Sequence, residues 1–526
     1  MPYDNNCPIG IAPYDQSERI RNPKIFNLNY TAQDFWSMKT KLVEFIRERF
    51  GSEGTILPNT FNDFVESDIA IMLIENWAFL ADILSFKMDQ IANEIFIDTV
   101  AEAENAFRLA KLVGFEPLPP IAAKSLWSGH LNNVFSQDIH LSTPIPFSLA
   151  ADGEPLEIEL FQADSSGNPI FDQDIIVSAG SDHNSSIVGL EGHTYEEVMT
   201  STGEVSQTRV LGDYPVIYDS VRVAVDGIQW TRVDYFTDSQ PRREFRVEFD
   251  SDYRAYVVFG NNRAGLMPPR GSRITVTYRV GGGTRGNIVT DFAQVQRQVY
   301  VPGLDYSVPI TFRNFSPGKY GYDGDTIEDI RAKLPAYLRV QNRAVSGLDY
   351  KTLADQFASP YNGKIGRSTA VLRNHGCAGN IIDLYVLAQV DVMDLEKTSS
   401  ELKVELANEI NAKKMLTDFV CIRDGMIIYA DVGIEVMLDK SYRKFEEEIK
   451  QNILNRTNAF FSLHRWEYGK TLKDIDLVKE LSQVRQVDSY TIEFTTDDED
   501  NSGSTVTTKY YEIVRPDNIN ISFSYT

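Results

Sequence analysis

Residues Phe259–Asn287 read FGNNRAGLMPPRGSRITVTYRVGGGTRGN, with seven glycines and five arginines in one run. Glycine-rich loops with basic residues are how several folds grip phosphate, so the reading of this stretch decides the class of molecule. The Walker pattern needs Gly, four residues, then Gly-Lys-Ser/Thr, and no such Lys is present. A dinucleotide site needs a helix straight after the glycines, whose N-terminus meets the phosphate. Here Ile288-Val289-Thr290 follows, β-branched and unfit to open that helix. The glycines are therefore expected to turn or bulge strands, and no cofactor is expected.

The flanking sequence has the same β character. From about Lys124, short alternating runs are separated by Asp, Gly, Asn and Ser: Leu156–Phe161, Ile175–Ser178, Val221–Val225, Phe245–Phe249, Tyr256–Phe259 and Ile274–Val280. Asp226-Gly227, between VRVAV and IQW, is a two-residue hairpin signal. The polar piece Ser178–Gln207 reads as long loops or an insertion.

Toward the N-terminus the period changes to that of helices. Tyr30–Phe50 is an amphipathic segment closed by Gly51. Leu73, Trp77, Leu80, Leu84, Met88, Ile91 and Ile95 then recur at steps of three and four, and Ile74, Phe79, Ile83 and Phe86 widen the stripe. The run Ile69–Phe86 contains Glu75, Asn76 and Asp82, whereas a membrane span wants roughly 20 mostly apolar residues. A buried helix covered on more than one side is expected. Ordinary core is the first reading of the stripe, and helix association between chains the second. Thr99-Val-Ala-Glu102 reads as a capping box for a further helix ending at Gly114.

Beyond Asp325 helices and strands alternate. Asp325 is expected to cap TIEDIRAKL, and Pro335 to kink or end that helix. Ser346-Gly-Leu-Asp349 caps the next, with Tyr350, Leu353 and Phe357 inward. Strands Lys364–Leu372 and Ile381–Gln389, helix Ser399–Lys413, strand Ile428–Leu438, helix Tyr442–Phe460, a short strand near Trp466, helix Leu472–Leu481 and strand Ser489–Thr495 follow. The expected fold is α+β and multidomain: N-terminal long helices (1–120), a β-rich domain (121–310) with a polar loop insertion near 160–210, and two small α/β sandwich units (311–420 and 421–526).

Composition narrows the function. At 526 residues the chain is too long for one core. The formal charge of −24 leaves no basic footprint for nucleic acid. It fits a well-solvated protein, or acidic faces meeting basic partner subunits. Cys7, Cys377 and Cys421 have no pairing pattern, and His183 and His193 lack ligand spacing, so neither disulfides nor zinc are expected. The N-terminal MPYDNNCPIGIAPYDQSERIRNPK lacks the apolar core of a secretory signal. Asp498, Asp500, Ser502 and Gly503 imitate the start of a calcium loop, but Lys509 stands where the closing carboxylate belongs, so a solvated hairpin tip is expected. No GxSxG, Cys–His or SxxK set appears in context, and no enzyme is expected.

Several motifs carry a resemblance. Phe259-Gly260-Asn261-Asn262, Gly265, Pro269-Arg270-Gly271, Tyr278-Arg279 and Gly281-Gly282-Gly283-Thr-Arg-Gly286-Asn287 follow one another after VRVAVDGIQW, with Asp226, Gly227 and Trp230. Arg343-Ala-Val-Ser-Gly-Leu-Asp349-Tyr350 comes later, and DTVAEAENAFRLAKLVGFEPLP and LTDFVCIRDGMIIYADVGIEVML flank the whole. In order and spacing this resembles the J-like baseplate proteins of contractile phage tails, related to the wedge protein of the inner baseplate ring. Asn261-Asn262 replaces the family's Asp-Gly turn, which leaves a hairpin tenable because Asn tolerates positive φ. The segment 160–210 and the tail after 496 have no counterpart there.

The resemblance implies a structural subunit of a baseplate wedge, located in the virion tail. It implies a homodimer whose copies, with other wedge proteins, neighbouring wedges and a central hub, close a ring and transmit the trigger for sheath contraction. Assembly would take place in the host cytoplasm. It implies neither nucleic-acid binding nor membrane insertion. The N-terminal helices, with Leu73, Trp77, Leu80 and Leu84, are the expected joint with a partner, and the C-terminal units the expected dimer contact. Arg343 reads equally as an ion-pair anchor at a domain junction or as a solvent-facing arginine. The alternative reading is a carbohydrate-binding tail protein that contacts a receptor through its aromatic-rich β domain.

Overall fold

The computed structural model describes residues 34–51, 55–57, 59–61, 68–136, 138–151, 154–171, 173–236, 241–289, 294–300, 307–374, 380–391, 394–463, 465–484, 487–498 and 501–525. The fold is α+β and multidomain, with helices leading and a β-rich body. Its described residues fall into two compact units, one within 16–116 with 326–331, the other within 117–325 and 332–526.

The smaller unit is helical. Helix α1 (Phe35–Phe50) opens on Asp34, whose carboxylate accepts from the Ser37 amide while the Ser37 hydroxyl accepts from the Asp34 amide, and it closes at Gly51. The start expected at Tyr30 lies outside the described residues. Helix α2 (Ile69–Glu94) runs 26 residues from an Asp68 cap. Helix α3 (Ala103–Leu112) ends in Gly114 at φ +77. The capping box read at Thr99 does not form. The Thr99 hydroxyl instead donates to the Asn93 carbonyl, 2.6 Å away, at the exit of α2. The Glu94 carboxylate accepts from the amides of Ala101 and Glu102, so the α3 entrance is satisfied by the preceding helix.

In the larger unit, alternation has become two seven-stranded sheets. The first runs, in spatial order, Gln294–Tyr300, Ser307–Asn314, Lys124–Leu131, His183–Glu191, Glu154–Ala163 and Ile145–Ala151, with Pro169–Ile170 paired on Glu154–Ala163. Its inner face, including Trp127, Phe147, Ile158, Ile187 and Phe312, closes over one core. The second runs His193–Thr200, Arg273–Val280, Arg222–Val225, Ile228–Arg232, Glu244–Phe249, Ala255–Phe259 and Thr208–Val210. The hairpin at Asp226-Gly227 forms as expected, with φ +50 and +80 and Val225 opposite Ile228.

Two expectations for this region are overturned. The polar piece Ser178–Gln207 is not loop. His183–Glu191 lies inside the first sheet, and His193–Thr200 edges the second against Arg273–Val280. Its polarity reflects that solvated edge position. Nor does Asn261-Asn262 close a hairpin, because Ala255–Phe259 and Arg273–Val280 are not neighbours in the sheet. The turn is local: Asn262 sits at φ +66 and the Asn261 side chain accepts from the amides of Arg263 and Ala264.

Two α/β layers complete this unit. Helices α5 (Gly347–Asp355) and α6 (Ser400–Lys413) cover a five-stranded sheet built on Gly363–Asn374 and Asn380–Gln389. Helices α7 (Glu446–Phe460) and α8 (Asp474–Leu481) cover the sheet Val487–Thr496, Met426–Leu438, Glu512–Tyr525. The tail after 496 thus supplies an edge strand parallel to Met426–Leu438. The acidic segment after Val487–Thr496 is closed by an antiparallel bridge, the Phe494 and Gly503 amides each donating to the other's carbonyl at 2.8 Å, with Asp497 and Asp498 exposed, as the hairpin-tip reading expects.

Helix α4 (Ile327–Val340) continues past Pro335 and does not end there. Its cap is Thr326, whose hydroxyl and amide both donate to Asp329 while the hydroxyl accepts from the Asp329 amide, and not Asp325. Asp325 is occupied elsewhere, accepting from the Leu118 amide, the Tyr322 hydroxyl and Lys333. Trp466 lies in no strand; it is buried, and its indole donates to the Phe460 carbonyl at 2.9 Å.

Candidate functional site

The chain passes from the first sheet to the second at Gly192, the single residue between His183–Glu191 and His193–Thr200. The triple glycine seats against this corner. A Cβ on Gly281 would lie 2.8 Å from Gly192 Cα, one on Gly282 2.8 Å from Pro120 Cβ, and one on Gly283 2.6 Å from Asp323 Oδ1. All three have φ between +87 and +132, where a side chain is strained in any case. Gly286 is held as closely, a Cβ there coming 2.6 Å from Ala123 Cβ. The Asn287 carboxamide accepts from the Gly321 amide at 2.9 Å, and Asp323 accepts from the Thr284 amide at 2.8 Å. The glycines make close backbone contact, as a turn reading requires.

Arg279, from Arg273–Val280, is buried behind this corner. Its guanidinium donates to the carbonyls of Leu190, Glu191 and Gly192 at 3.0–3.2 Å and lies 5.2 Å from the Phe161 ring centre. Glu159 of the first sheet pairs with it at 3.3 Å. Glu159 also accepts from the Thr194 amide and hydroxyl, and His193 Nδ1 stands 3.2 Å away. A second carboxylate, Glu191, accepts from the Gly282 amide at 3.1 Å, and its other oxygen has no hydrogen-bond partner among the described residues. Burial pushes Glu191 up to about 7; the Gly282 amide and the Arg279 charge oppose the rise without cancelling it. One guanidinium thus faces two buried carboxylates. The arrangement locks two sheets together.

The other marked residues fall into separate places. Trp230 and Phe259 meet edge-on at 5.5 Å inside the second sheet. Gly260 and Gly265 abut, a Cβ on the first reaching 2.3 Å from the second's carbonyl carbon. Pro269 and Gly271 form an exposed turn, the Pro269 carbonyl accepting from Ser272 and the Gly271 amide donating to Ser201. The Tyr278 hydroxyl donates to Glu197. Asp349 completes the α5 capping box with Ser346, and the buried Tyr350 donates to Asp418 at 2.8 Å. Arg343 is exposed and forms no ion pair among the described residues, which is the solvent-facing alternative of the two read for it.

The largest departure from expectation is α2. Its buried residues are Ile71, Ile74, Ala78, Ser85 and Asn93. The stripe read as core is on the other side: Leu73 is 56% exposed, Trp77 66%, Leu80 46% and Leu84 56%, and Phe79, Ile83, Phe86, Met88, Ile91 and Ile95 are exposed with them. Helix α1 adds exposed Trp36 and Phe45 and buries none of its own residues, although Lys39 pairs with Glu75 of α2 at 2.7 Å. Monomeric proteins rarely expose contiguous apolar patches beyond a few hundred Å². By length and composition α2 would also suffice to cross a membrane.

Among the described residues no group of three or more His, Cys, Asp or Glu is placed to hold a metal. Glu499 and Asp500 of the calcium-like segment, Cys7 and Cys377 lie outside the described residues; Cys421 is exposed. Glu159 and Glu191 escaped the sequence reading, and His193 entered it only as lacking ligand spacing. The usable signal was two glutamates in otherwise apolar runs, IELF and VGLE.

Residues 57–112, which include α2 and α3, match the family described as bacteriophage baseplate protein, N-terminal domain. A comparison with curated proteins finds no match. Among solved structures, a chain of the cryo-EM structure of the anti-feeding prophage (AFP) baseplate, 6-fold symmetrised, is similar at 11% identity and a TM-score of 0.34, over 86% of this chain and 88% of that one.

Proposed function

We propose that this chain is a structural subunit of a contractile-tail baseplate wedge, and that α1 and α2 form the joint at which helices of other baseplate proteins bundle with it. The match over residues 57–112 supports a structural role in a baseplate. The observation that carries the finer reading is α2 itself, which turns Leu73, Trp77, Leu80 and Leu84 outward. Burying four such side chains is worth about 1.5–3 kcal/mol each. That is comparable with the whole stability of a domain, about 5–15 kcal/mol. A bundle of apolar helices from other chains accounts for it. A membrane is the weaker partner, because Asp82 sits mid-helix and a carboxylate at the bilayer centre costs about 2.5–3.5 kcal/mol. In this reading the chain works as a homodimer in a ring around a central hub and rearranges when the sheath contracts.

The test is gold labelling of a tagged chain on purified contractile particles, together with Trp77→Asp/Leu84→Asp. Label at the end of the tail, and a folded double variant that is left out of particles, are expected. Label absent from the tail end overturns the baseplate reading. A double variant incorporated like wild type overturns the helix joint, and flotation of the wild-type chain with lipid vesicles would replace it with a membrane contact.

A further inference from the structure

The sheet Val487–Thr496, Met426–Leu438, Glu512–Tyr525 has an open outer side. Glu512–Tyr525 pairs with Met426–Leu438 from Met426 opposite Glu512 to Leu438 opposite Tyr525, and no strand among the described residues pairs with its other edge. A free edge presents a row of unpaired N–H and C=O groups, which proteins normally guard with charge, proline, bulges or shortness. Every terminal strand of more than three described residues carries such a guard, and this one does so only in its first half, where Glu512, Arg515, Pro516 and Asp517 stand and the register shifts between Pro516 and Ile519. Arg297 guards Gln294–Tyr300, Pro146 guards Ile145–Ala151, Glu196 guards His193–Thr200, Arg423 guards Asp418–Asp424, and Glu493 guards Val487–Thr496. The stretch Asn518–Tyr525, NINISFSY, has neither charge nor proline. Ile519, Ile521, Phe523 and Tyr525 lean on the C-terminal core, while Asn518, Asn520 and Ser522 face solvent.

We propose that two copies of this chain join here, Asn518–Ser524 of one pairing antiparallel with the same segment of the other about a two-fold axis through Ile521. Only a strand answers the alternating donors and acceptors of a sheet edge. Pairing with its own copy further requires that no charge meet its like, since like charges directly opposite are destabilising. This segment meets that condition. About Ile521, Asn520 faces Ser522, Asn518 faces Ser524 and Ile519 faces Phe523, so polar meets polar and apolar meets apolar on both sides. The interface is self-complementary, as a two-fold contact must be. Repulsion between two chains of charge −24 is screened beyond about 8 Å at physiological salt, and this edge adds none of its own. The proposal locates the homodimer named above and rests on that reading for the identity of the partner.

The experiment is light-scattering mass over a concentration series of the full chain, with amide exchange of residues 518–524 followed at the same concentrations. Asn520→Lys with Ser522→Lys places like charges across the axis, and should raise the dimer Kd about tenfold. Asn520→Lys with Ser522→Glu places opposite charges there, and should stay within about threefold of wild type. Both positions are exposed, so the variants should melt with the wild-type chain. Protection of 518–524 should rise with concentration in the wild type. A chain monomeric throughout, or a dimer that the double lysine variant leaves unchanged, overturns the proposal. In the second outcome the homodimer survives with its contact elsewhere, and the baseplate reading is judged independently by the particle labelling.

Discussion

Arg279 and Glu159 pair at 3.3 Å with side chains only 5% and 1% exposed, each on a different seven-stranded sheet. Three carbonyls around Gly192 accept from the same guanidinium, so the pair is also the brace of the corner at which the chain changes sheets. Removing one partner strands the other without water.

Arg279→Met should therefore destabilise the larger unit by about 3–5 kcal/mol, read as a lowered denaturation midpoint. Adding Glu159→Gln to Arg279→Met should recover a substantial part of that loss. Arg222→Ala, which removes a solvent-exposed pair with Asp219, is the control and should cost less than about 1 kcal/mol. Equal losses for the two arginines would refute the brace.

Glu191 predicts a pH effect. Its folded pKa is raised from 4.5 to about 7, so the folded state holds the proton more tightly. Its contribution is fully present below about pH 4.5 and is lost as pH rises through 7, a loss on the order of 3 kcal/mol. Glu191→Gln cannot titrate. Its stability relative to wild type should improve from pH 4.5 to pH 8, and parallel stability curves across that range would contradict the assignment.

The triple glycine predicts a ranking. Gly271→Ala meets nothing within 4 Å and pays only for its φ of +84, about 1–2 kcal/mol. Gly282→Ala has a similar φ of +87 and drives its Cβ to 2.8 Å from that of Pro120, so it should cost distinctly more. Comparable melting shifts for the two would mean that the corner yields easily.

Tyr350→Phe should cost about 1–3 kcal/mol, because it leaves buried Asp418 without the hydroxyl that donates to it at 2.8 Å. Asn380 remains as a partner at 3.3 Å, which favours the lower end of that range. An unchanged denaturation midpoint would show that Asn380 and the Thr417 hydroxyl suffice.

On α2 the contrast lies between faces. Ala78→Asp, at a fully buried site, should unfold the helical unit, whereas Leu80→Asp, at a site 46% exposed, should leave helix content unchanged by circular dichroism. If both behaved alike, the exposed face of the isolated chain would be misassigned.

Local chemistry in the sequence determined much of this molecule. The period of α2, the Asp226-Gly227 turn, the capping box of Ser346 and Asp349, and the turn reading of Gly281–Gly283 each depend on neighbours within a few residues, and each has its counterpart in the structure. Where two local answers compete, the sequence alone does not choose. Asp325 and Thr326 both suit a cap, and the outcome followed from Leu118, Tyr322 and Lys333 drawing Asp325 away. Only the tertiary structure decided which side of the α2 stripe is covered, that Ser178–Gln207 pairs as strands, and that Arg279 meets carbonyls 88 residues earlier in the chain. The physical reason is that periodicity fixes directions around an element. What lies in each direction is set by contacts between segments remote in sequence, and for α2 those contacts leave its most apolar face open.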